Sequence, residues 1–259
     1  MNKNVIFAFI GCLAFSGCFD NKNKPEDVPT VSSVEQLSKT NRAEVVRLYL
    51  RGSKTAVKEA DLSDLPSLKV LDLSELRYKT IPSAVFKLTN LKQLYFAYNE
   101  LETLPADIAN LKGLEYLNLD GNRLVTLGEN LAPLTNIRWL RLNGNRLKDL
   151  PQSISAMASL QRIYLKNNRM KEVPECLKGM QLLEDISLDG NFAITEIPDW
   201  VVELPSLHNL SFSGCGIKKL PDDISGFKKL KSLNLSACPI PTEEMARIRE
   251  ALPKVAIVF

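Results

Sequence analysis

At 259 residues, 45% of them hydrophobic and 7% aromatic, the chain is long enough to bury a sizeable core. Lys and Arg number 33 against 30 Asp and Glu, and the resulting formal charge of +3 is too small an excess to point to nucleic acid. Five cysteines and one histidine form no zinc-type ligand set, and no Walker or dinucleotide-binding motif is present.

The first twenty residues, MNKNVIFAFIGCLAFSGCFD, carry Lys3, then an apolar run over residues 5–15, then Ser16, Gly17 and Cys18. That run is too short to cross a bilayer as a helix, and residues 1–17 read as a secretory signal peptide. Small residues directly before a cysteine resemble the bacterial lipobox, although Phe15 stands where that motif usually has Leu. The resemblance implies that Cys18 carries the lipid, palmitate included, and becomes the mature N-terminus in a bacterial cell envelope. An ordinary signal peptide, whose removal frees a secreted protein, is the other reading of the same leader. Residues 18–31 then read as a flexible tether, since residues 19–30, FDNKNKPEDVPT, are polar and contain proline. In enteric bacteria an aspartate directly after the lipidated cysteine holds lipoproteins in the inner membrane. Phe19 takes that place here, so the resemblance favours the outer membrane of a Gram-negative cell.

Residues 32–44 read as an N-terminal cap, with Ser32 and Glu35 spaced as a capping box for a short helix. From residue 45 to 240 the chain repeats itself. Leu68, Leu91, Leu114, Ile137, Leu160 and Leu183 recur every 23 residues, and Leu207 and Leu230 continue the series after one step of 24. Each unit fits LxxLxLxxNxLxxLPxxIxxL. The unit opening at Leu91 fills it with Leu94, Phe96, Asn99, Leu101, Leu104, Pro105, Ile108 and Leu111.

This pattern resembles the leucine-rich repeat family, in its short LPxxI class of bacterial proteins and of the eukaryotic Ras-suppressor group, over about three quarters of the chain. The resemblance implies an α/β solenoid of about nine repeats. A curved parallel β-sheet would form its concave face and an irregular or short helical return its convex side. In LxL the leucines share one face of a strand and point inward, while the residues between them point to solvent. One repeat cannot bury its own apolar face, and stacked repeats make a continuous core. The amides of Asn99, Asn122, Asn145, Asn168 and Asn191 can satisfy backbone groups left by the turn, and Pro82, Pro105, Pro151, Pro174, Pro198 and Pro221 fix φ where the return begins. The unit at Val45 is eroded, with Ser53, Thr55 and Lys58 off the pattern, while Leu76 replaces an asparagine and Gly128 a proline. GNFAITEIP, residues 190–198, has one residue too many and reads as a local bulge. Residues 241–259 read as a C-terminal cap: a helix with Thr242 as N-cap and Met245, Ile248 and Leu252 on one face, stopped by Pro253, then a closing strand over residues 255–259.

Cys215 and Cys238 fall in the asparagine place of adjacent units, where the family accepts either residue, so they are buried free thiols or a cross-rung disulfide. Cys176 has no evident partner. The concave face is where this family usually binds its ligands, and there large residues gather in the middle units: Tyr95, Tyr98, Tyr116, Trp139, Arg141, Arg162, Tyr164 and Lys166. Tyr, Trp and Arg are the residue types that dominate binding hot spots. The bland alternative is that the rings stack across strands and stabilise the sheet, with the two arginines lying over them. Arg123, Arg146 and Arg169, each just after an asparagine, make a like-charged row that reads first as a solvated face. No nucleophile, base and orienter occur at plausible spacing, so no enzyme, cofactor or metal is expected. The expectation is a lipid-anchored module binding a protein ligand through the concave face. The alternative is a glycan or cell-envelope binder on the same patch, with Asp185 and Asp189 accepting sugar hydroxyls.

Overall fold

Residues 28–259 are described by a computed structural model. Each LxL places one apolar residue at the centre of a three-residue strand and one directly after it. Leu48, Leu71, Leu94, Leu117, Leu140, Ile163, Ile186, Leu210 and Leu233 are the central residues, and all are at most 2% exposed. A strand this short is not stable alone, so each is held by its neighbours. Eleven of them form one sheet in strict sequence order. They are β1 Thr30–Val31, β2 Arg47–Tyr49, β3 Val70–Asp72, β4 Gln93–Tyr95, β5 Tyr116–Asn118 and β6 Trp139–Arg141, followed by β7 Arg162–Tyr164, β8 Asp185–Ser187, β9 Asn209–Ser211, β10 Ser232–Asn234 and β11 Ala256–Val258. Every adjacent pair is parallel and in register, so Leu94 faces Leu117, Leu117 faces Leu140 and Leu140 faces Ile163. A position in the repeat thereby becomes a straight column on the molecule.

The asparagines form one such column. Asn122 donates through Nδ2 to the carbonyls of Phe96 (2.9 Å) and Leu119 (3.0 Å), and its Oδ1 accepts from Leu101 N–H (3.1 Å). Asn99, Asn145, Asn168 and Asn191 repeat this arrangement, and all five are buried. Buried backbone polar groups must find partners, and the side-chain amide is both donor and acceptor at the turn where the strand ladder ends. The return begins with proline: Pro82, Pro105, Pro151, Pro174 and Pro198 each precede a short helical turn. The turn after Pro198 is the four-residue helix α2, Asp199–Val202, because α1, Val34–Ser38, lies before the repeats.

Several local expectations shift. The N-cap of α1 is Ser33, not Ser32: its hydroxyl accepts Gln36 N–H at 3.0 Å, while Gln36 Oε1 accepts Ser32 N–H at 3.0 Å. The cap sits one residue later, and Gln36 reaches back past it to Ser32 instead of closing a capping box. The C-terminal helix α3 spans Thr242–Ala251, so Pro241 is its N-cap and Thr242 its first residue. Thr30–Val31, at the end of the segment read as tether, pair with β2, and Val31 is buried. The extra residue of GNFAITEIP does not bulge a strand. Asn191 keeps its column, Ile194 is buried, and Phe192 is turned out to 79% exposure in the loop between them. Cys215 and Cys238 are free thiols that copy half of the asparagine role, their Sγ donating to Leu188 O (3.3 Å) and Phe212 O (3.1 Å). Among the described residues no helix is long and apolar enough to cross a membrane.

Candidate functional site: the concave face

The first and third residues of each strand point away from the leucine core and build two columns on the concave face. One runs Tyr116, Trp139, Arg162, Asp185, Asn209; the other Tyr95, Asn118, Arg141, Tyr164, Ser187. Across them a continuous band forms. The Tyr95 and Tyr116 rings lie 4.8 Å apart, Tyr116 meets Trp139 edge to face at 5.8 Å, and the Arg162 guanidinium lies 4.8 Å over the Trp139 ring. Arg141 lies 5.4 Å over Tyr164 in the second column.

Each arginine is also tied to a carboxylate on a neighbouring rung. Arg141 contacts Asp120 Oδ2 through Nε and Nη2, both at 2.7 Å, and Asp120 is buried. Arg162 Nε is 3.1 Å from Asp185 Oδ2. The geometry there does not make a hydrogen bond, so this contact is a charge pair, and among the described residues Arg162 Nε–H has no aligned acceptor. The guanidinium face, rather than its edge, is the well-placed part of Arg162. Asp120 and Asp185 were not picked out as anchors of this patch by residue type; their sign is positional, 21 residues before Arg141 and 23 after Arg162, which is one rung in either direction.

Six of the eight residues singled out by sequence, Tyr95, Tyr116, Trp139, Arg141, Arg162 and Tyr164, are brought together and half-buried. Tyr98 and Lys166 are not part of the band. Both lie beyond the strand ends, Tyr98 at φ +54° and 59% exposed, and the Lys166 side chain is exposed. Other positions that alternation assigns to solvent are buried: Val70, Asp72, Ser74 and Ala97, and Ser74 Oγ accepts Ala97 N–H at 3.1 Å.

Burial pushes the phenols of Tyr95, Tyr116 and Tyr164 upward, which keeps them neutral hydroxyls. Burial likewise pushes the Cys176 and Cys215 thiols up to about 12, so neither is a thiolate nucleophile at neutral pH. Among the described residues no group of three or more His, Cys, Asp and Glu side chains could hold a metal. The carboxylates on the far half of the face are already engaged. Asp185 accepts Asn209 Nδ2 at 2.6 Å as well as facing Arg162, and Asp189 accepts Ser213 N–H at 2.9 Å and the Ser211 hydroxyl. A hollow of about 870 Å³ opens at the other side of the first turns, around Arg42, Leu62, Pro66 and Asn90. Arg42 there is fastened to the carbonyls of Ala60, Asp61 and Ser63, leaving the concave band as the better site.

The family model for leucine rich repeats matches residues 66–124 and 135–192. A leucine-rich repeat protein of Leptospira interrogans is 25% identical, with a TM-score of 0.53 over 84% of this chain and 65% of its own. An internalin of Listeria monocytogenes is 22% identical, with a TM-score of 0.73 over 88% of this chain and 64% of its own. The chain thus spans just under two thirds of either structure. The leucine-rich repeat ectodomain of the plant membrane receptor kinase GASSHO1/SCHENGEN3 from Arabidopsis thaliana, solved in complex with CASPARIAN STRIP INTEGRITY FACTOR 2, is 22% identical, with a TM-score of 0.69 over 89% of this chain and 28% of its own. No curated protein sequence matches the chain. Sequence pattern and sheet topology agree on the fold, a leucine-rich repeat solenoid, with the family model matching just under half of the chain.

Proposed function

We propose that the chain is a non-enzymatic binding module that engages a protein ligand through its concave face, and that acylation of Cys18 holds it on a bacterial membrane. The observation that carries the ligand reading is the unbroken band Tyr95, Tyr116, Trp139, Arg162, with its second column Arg141 and Tyr164. Six large side chains of hot-spot type occupy the middle rungs, while the last two units offer only Asn209, Ser211, Ser232 and Asn234 at the equivalent places. Stacking alone would stabilise the sheet equally well on any rung, and so does not account for this concentration. A protein partner is favoured over a glycan because Asp185 and Asp189, the acceptors a sugar would use, already hold Asn209, Ser211 and Ser213. The repeats are of the 23-residue LPxxI class, and outer-membrane sorting is the reading that Phe19 supports in a Gram-negative cell.

The test is capture of binding proteins from cell-envelope extracts with the whole chain and with the variant Trp139→Ala, Tyr164→Ala. Loss of the captured partner with an unchanged melting temperature supports the reading. A lowered melting temperature with capture intact would assign the band to sheet stability alone. Cys18→Ala lies outside the described residues and tests the anchor separately: it should move the protein to the soluble fraction or stall its processing, since buried acyl carbons hold it at about 0.8 kcal/mol per CH₂.

A further inference from the structure

A second surface runs along the edge of the sheet just beyond the strand ends, beside the buried asparagine column. Its residues follow the asparagines: Glu100, Arg123, Arg146, Arg169 and Phe192. The backbone here is not a loose loop. Arg123 N–H donates to Leu101 O (2.8 Å), Arg146 N–H to Leu124 O (2.9 Å) and Arg169 N–H to Leu147 O (2.8 Å), so each arginine is stacked one rung from the next. That fixes their backbones about 4.8 Å apart, the spacing of hydrogen-bonded strands.

The charge along this edge is uncompensated where it matters. Arg123 faces Glu100 at 3.2 Å. Among the described residues neither Arg146 nor Arg169 has a carboxylate within 4.0 Å, and both are exposed. Lys148 and Lys171, two residues further on in the same turns, are exposed and unpaired as well. Like charges on adjacent rungs repel, so the row is a cost to the fold unless an anion lies on it.

Exposed aromatics flank the row at both ends. Tyr98 has φ +54° at a column position where Gly121, Gly144, Gly190 and Gly214 stand, a left-handed backbone that a bulky residue adopts only under strain. Its ring lies across Gly121, where a β-carbon would sit 2.5 Å from Cδ1. Phe192, 79% exposed, reaches toward Gly214. From the Gly121 rung to the Gly214 rung is about four strand spacings, roughly 19 Å. Strain and exposure at one aromatic and exposure at the other, with a line of bare cations between, form a platform, charges, platform sequence.

We propose that this edge binds a linear acidic polysaccharide, its sulfate or carboxylate groups on Arg146, Arg169 and their lysine neighbours and the faces of its outer sugar rings on Tyr98 and Phe192. Arg presents a planar fork that fits such oxyanions two donors at a time. An extended acidic peptide fits less well: its same-side groups recur about every 7 Å, which falls out of step with rungs about 4.8 Å apart. An acidic helix would need apolar anchors in a groove, and the edge has none between its two rings.

Binding of the whole chain to fluorescent dextran sulfate is measured by anisotropy, beside neutral dextran, polyglutamate and single-stranded DNA. Salt-sensitive binding to dextran sulfate is expected, weakened at least about tenfold by Arg146→Ala with Arg169→Ala, since two charge-assisted contacts are lost. Lys228→Ala with Lys229→Ala, which removes the same charge from the exposed return segment, should leave affinity within about twofold. Tyr98→Ala with Phe192→Ala should weaken it about fivefold or more. All these side chains are exposed, and unchanged melting temperatures confirm intact folds. The proposal is overturned if dextran sulfate fails to bind, if the lysine pair matters as much as the arginine pair, or if the aromatic pair leaves affinity unchanged. It is equally overturned if polyglutamate or DNA binds as tightly and depends on the same arginines, which would assign the edge to acidic protein or nucleic acid.

Discussion

Asn145 is the middle member of the buried amide column, and its replacement separates the donor half of the side chain from the acceptor half. Nδ2 reaches Leu119 O and Leu142 O, both at 3.0 Å, and Oδ1 accepts Leu124 N–H at 3.1 Å. The two carbonyls keep a second donor after Asn145→Ala, since Asn122 also bonds Leu119 O and Asn168 also bonds Leu142 O. Among the described residues Leu124 N–H has no second partner. One orphaned buried donor costs about 1–3 kcal/mol, and the two lost bonds about 0.5 kcal/mol or more each, so Asn145→Ala should cost about 2–4 kcal/mol. Asn145→Cys restores a donor, as Cys215 does to Leu188 O, and should lose less than the alanine variant. Asn145→Asp keeps an acceptor for Leu124 N–H but sets a buried negative charge against two carbonyl oxygens, a loss of about 3–5 kcal/mol at pH 7. Its carboxyl would have a raised folded pKa, so that loss should shrink as pH falls and the group protonates. Urea unfolding at pH 7 and at pH 4, each referred to the unchanged protein at the same pH, gives these differences. An alanine variant within 0.5 kcal/mol of the parent, or an aspartate variant no worse than alanine at pH 7, would refute the ladder as an energetic element; the threshold is about the noise expected of an indifferent surface change.

Leu142→Ala empties a fully buried site and should cost about 2–5 kcal/mol, whereas Asn143→Ala loses one bond, from Lys166 N–H to Oδ1 at 2.8 Å, and should cost about 1 kcal/mol; equal losses in denaturation would show the inward register to be wrong. Glu244 accepts Leu220 N–H at 2.9 Å and two Arg247 donors at 2.8 Å, which hold its carboxyl below the usual range. A depressed folded pKa means that this stability is present above the unfolded value of about 4.3 and is lost as pH falls through the folded value, so the deficit of Glu244→Gln should be full at pH 6 and close below pH 4 in thermal melts. Ala237→Gly, at φ +57°, should gain about 0.5–1 kcal/mol, while Gly144→Ala, at φ +65°, should lose about 1 kcal/mol; calorimetry showing the same sign for both would contradict the left-handed column.

The architecture was legible in the sequence because one physical constraint repeats. Apolar residues at fixed offsets fill a core that only stacking closes, so Leu117, Leu140 and Ile163 announce both their burial and their pairing. The amide column was legible for the same reason, since an asparagine returning every 23 residues at a strand end has few other uses. Partnerships between rungs were harder to see. Arg141 finds Asp120 and Arg162 finds Asp185 across the sheet, and nothing in the local sequence of either pair marks it. Capping residues slipped by one because Ser32 and Ser33 both suit a cap, and the choice falls to whichever places Gln36 within reach of both ends. Tyr98 was assigned to the concave band by its type, but the left-handed backbone at its position carries it to the edge.

The two outward surfaces obey opposite electrostatic rules, and that contrast bears on what they do. In the concave band both guanidinium groups, Arg141 and Arg162, have a carboxylate one rung away and a ring beneath, so their charge is met within the fold. A partner there gains mainly from ring area and from neutral phenols, with little to desolvate. The edge begins by the same rule, Glu100 against Arg123, and then abandons it for Arg146 and Arg169. A single glutamate on either rung would have continued the alternation at a gain of a few tenths of a kcal/mol, the usual scale of a cross-strand charge pair. The sacrifice is small enough for a stable solenoid to carry, and it leaves fixed, regularly spaced cations free to meet charge that arrives from outside.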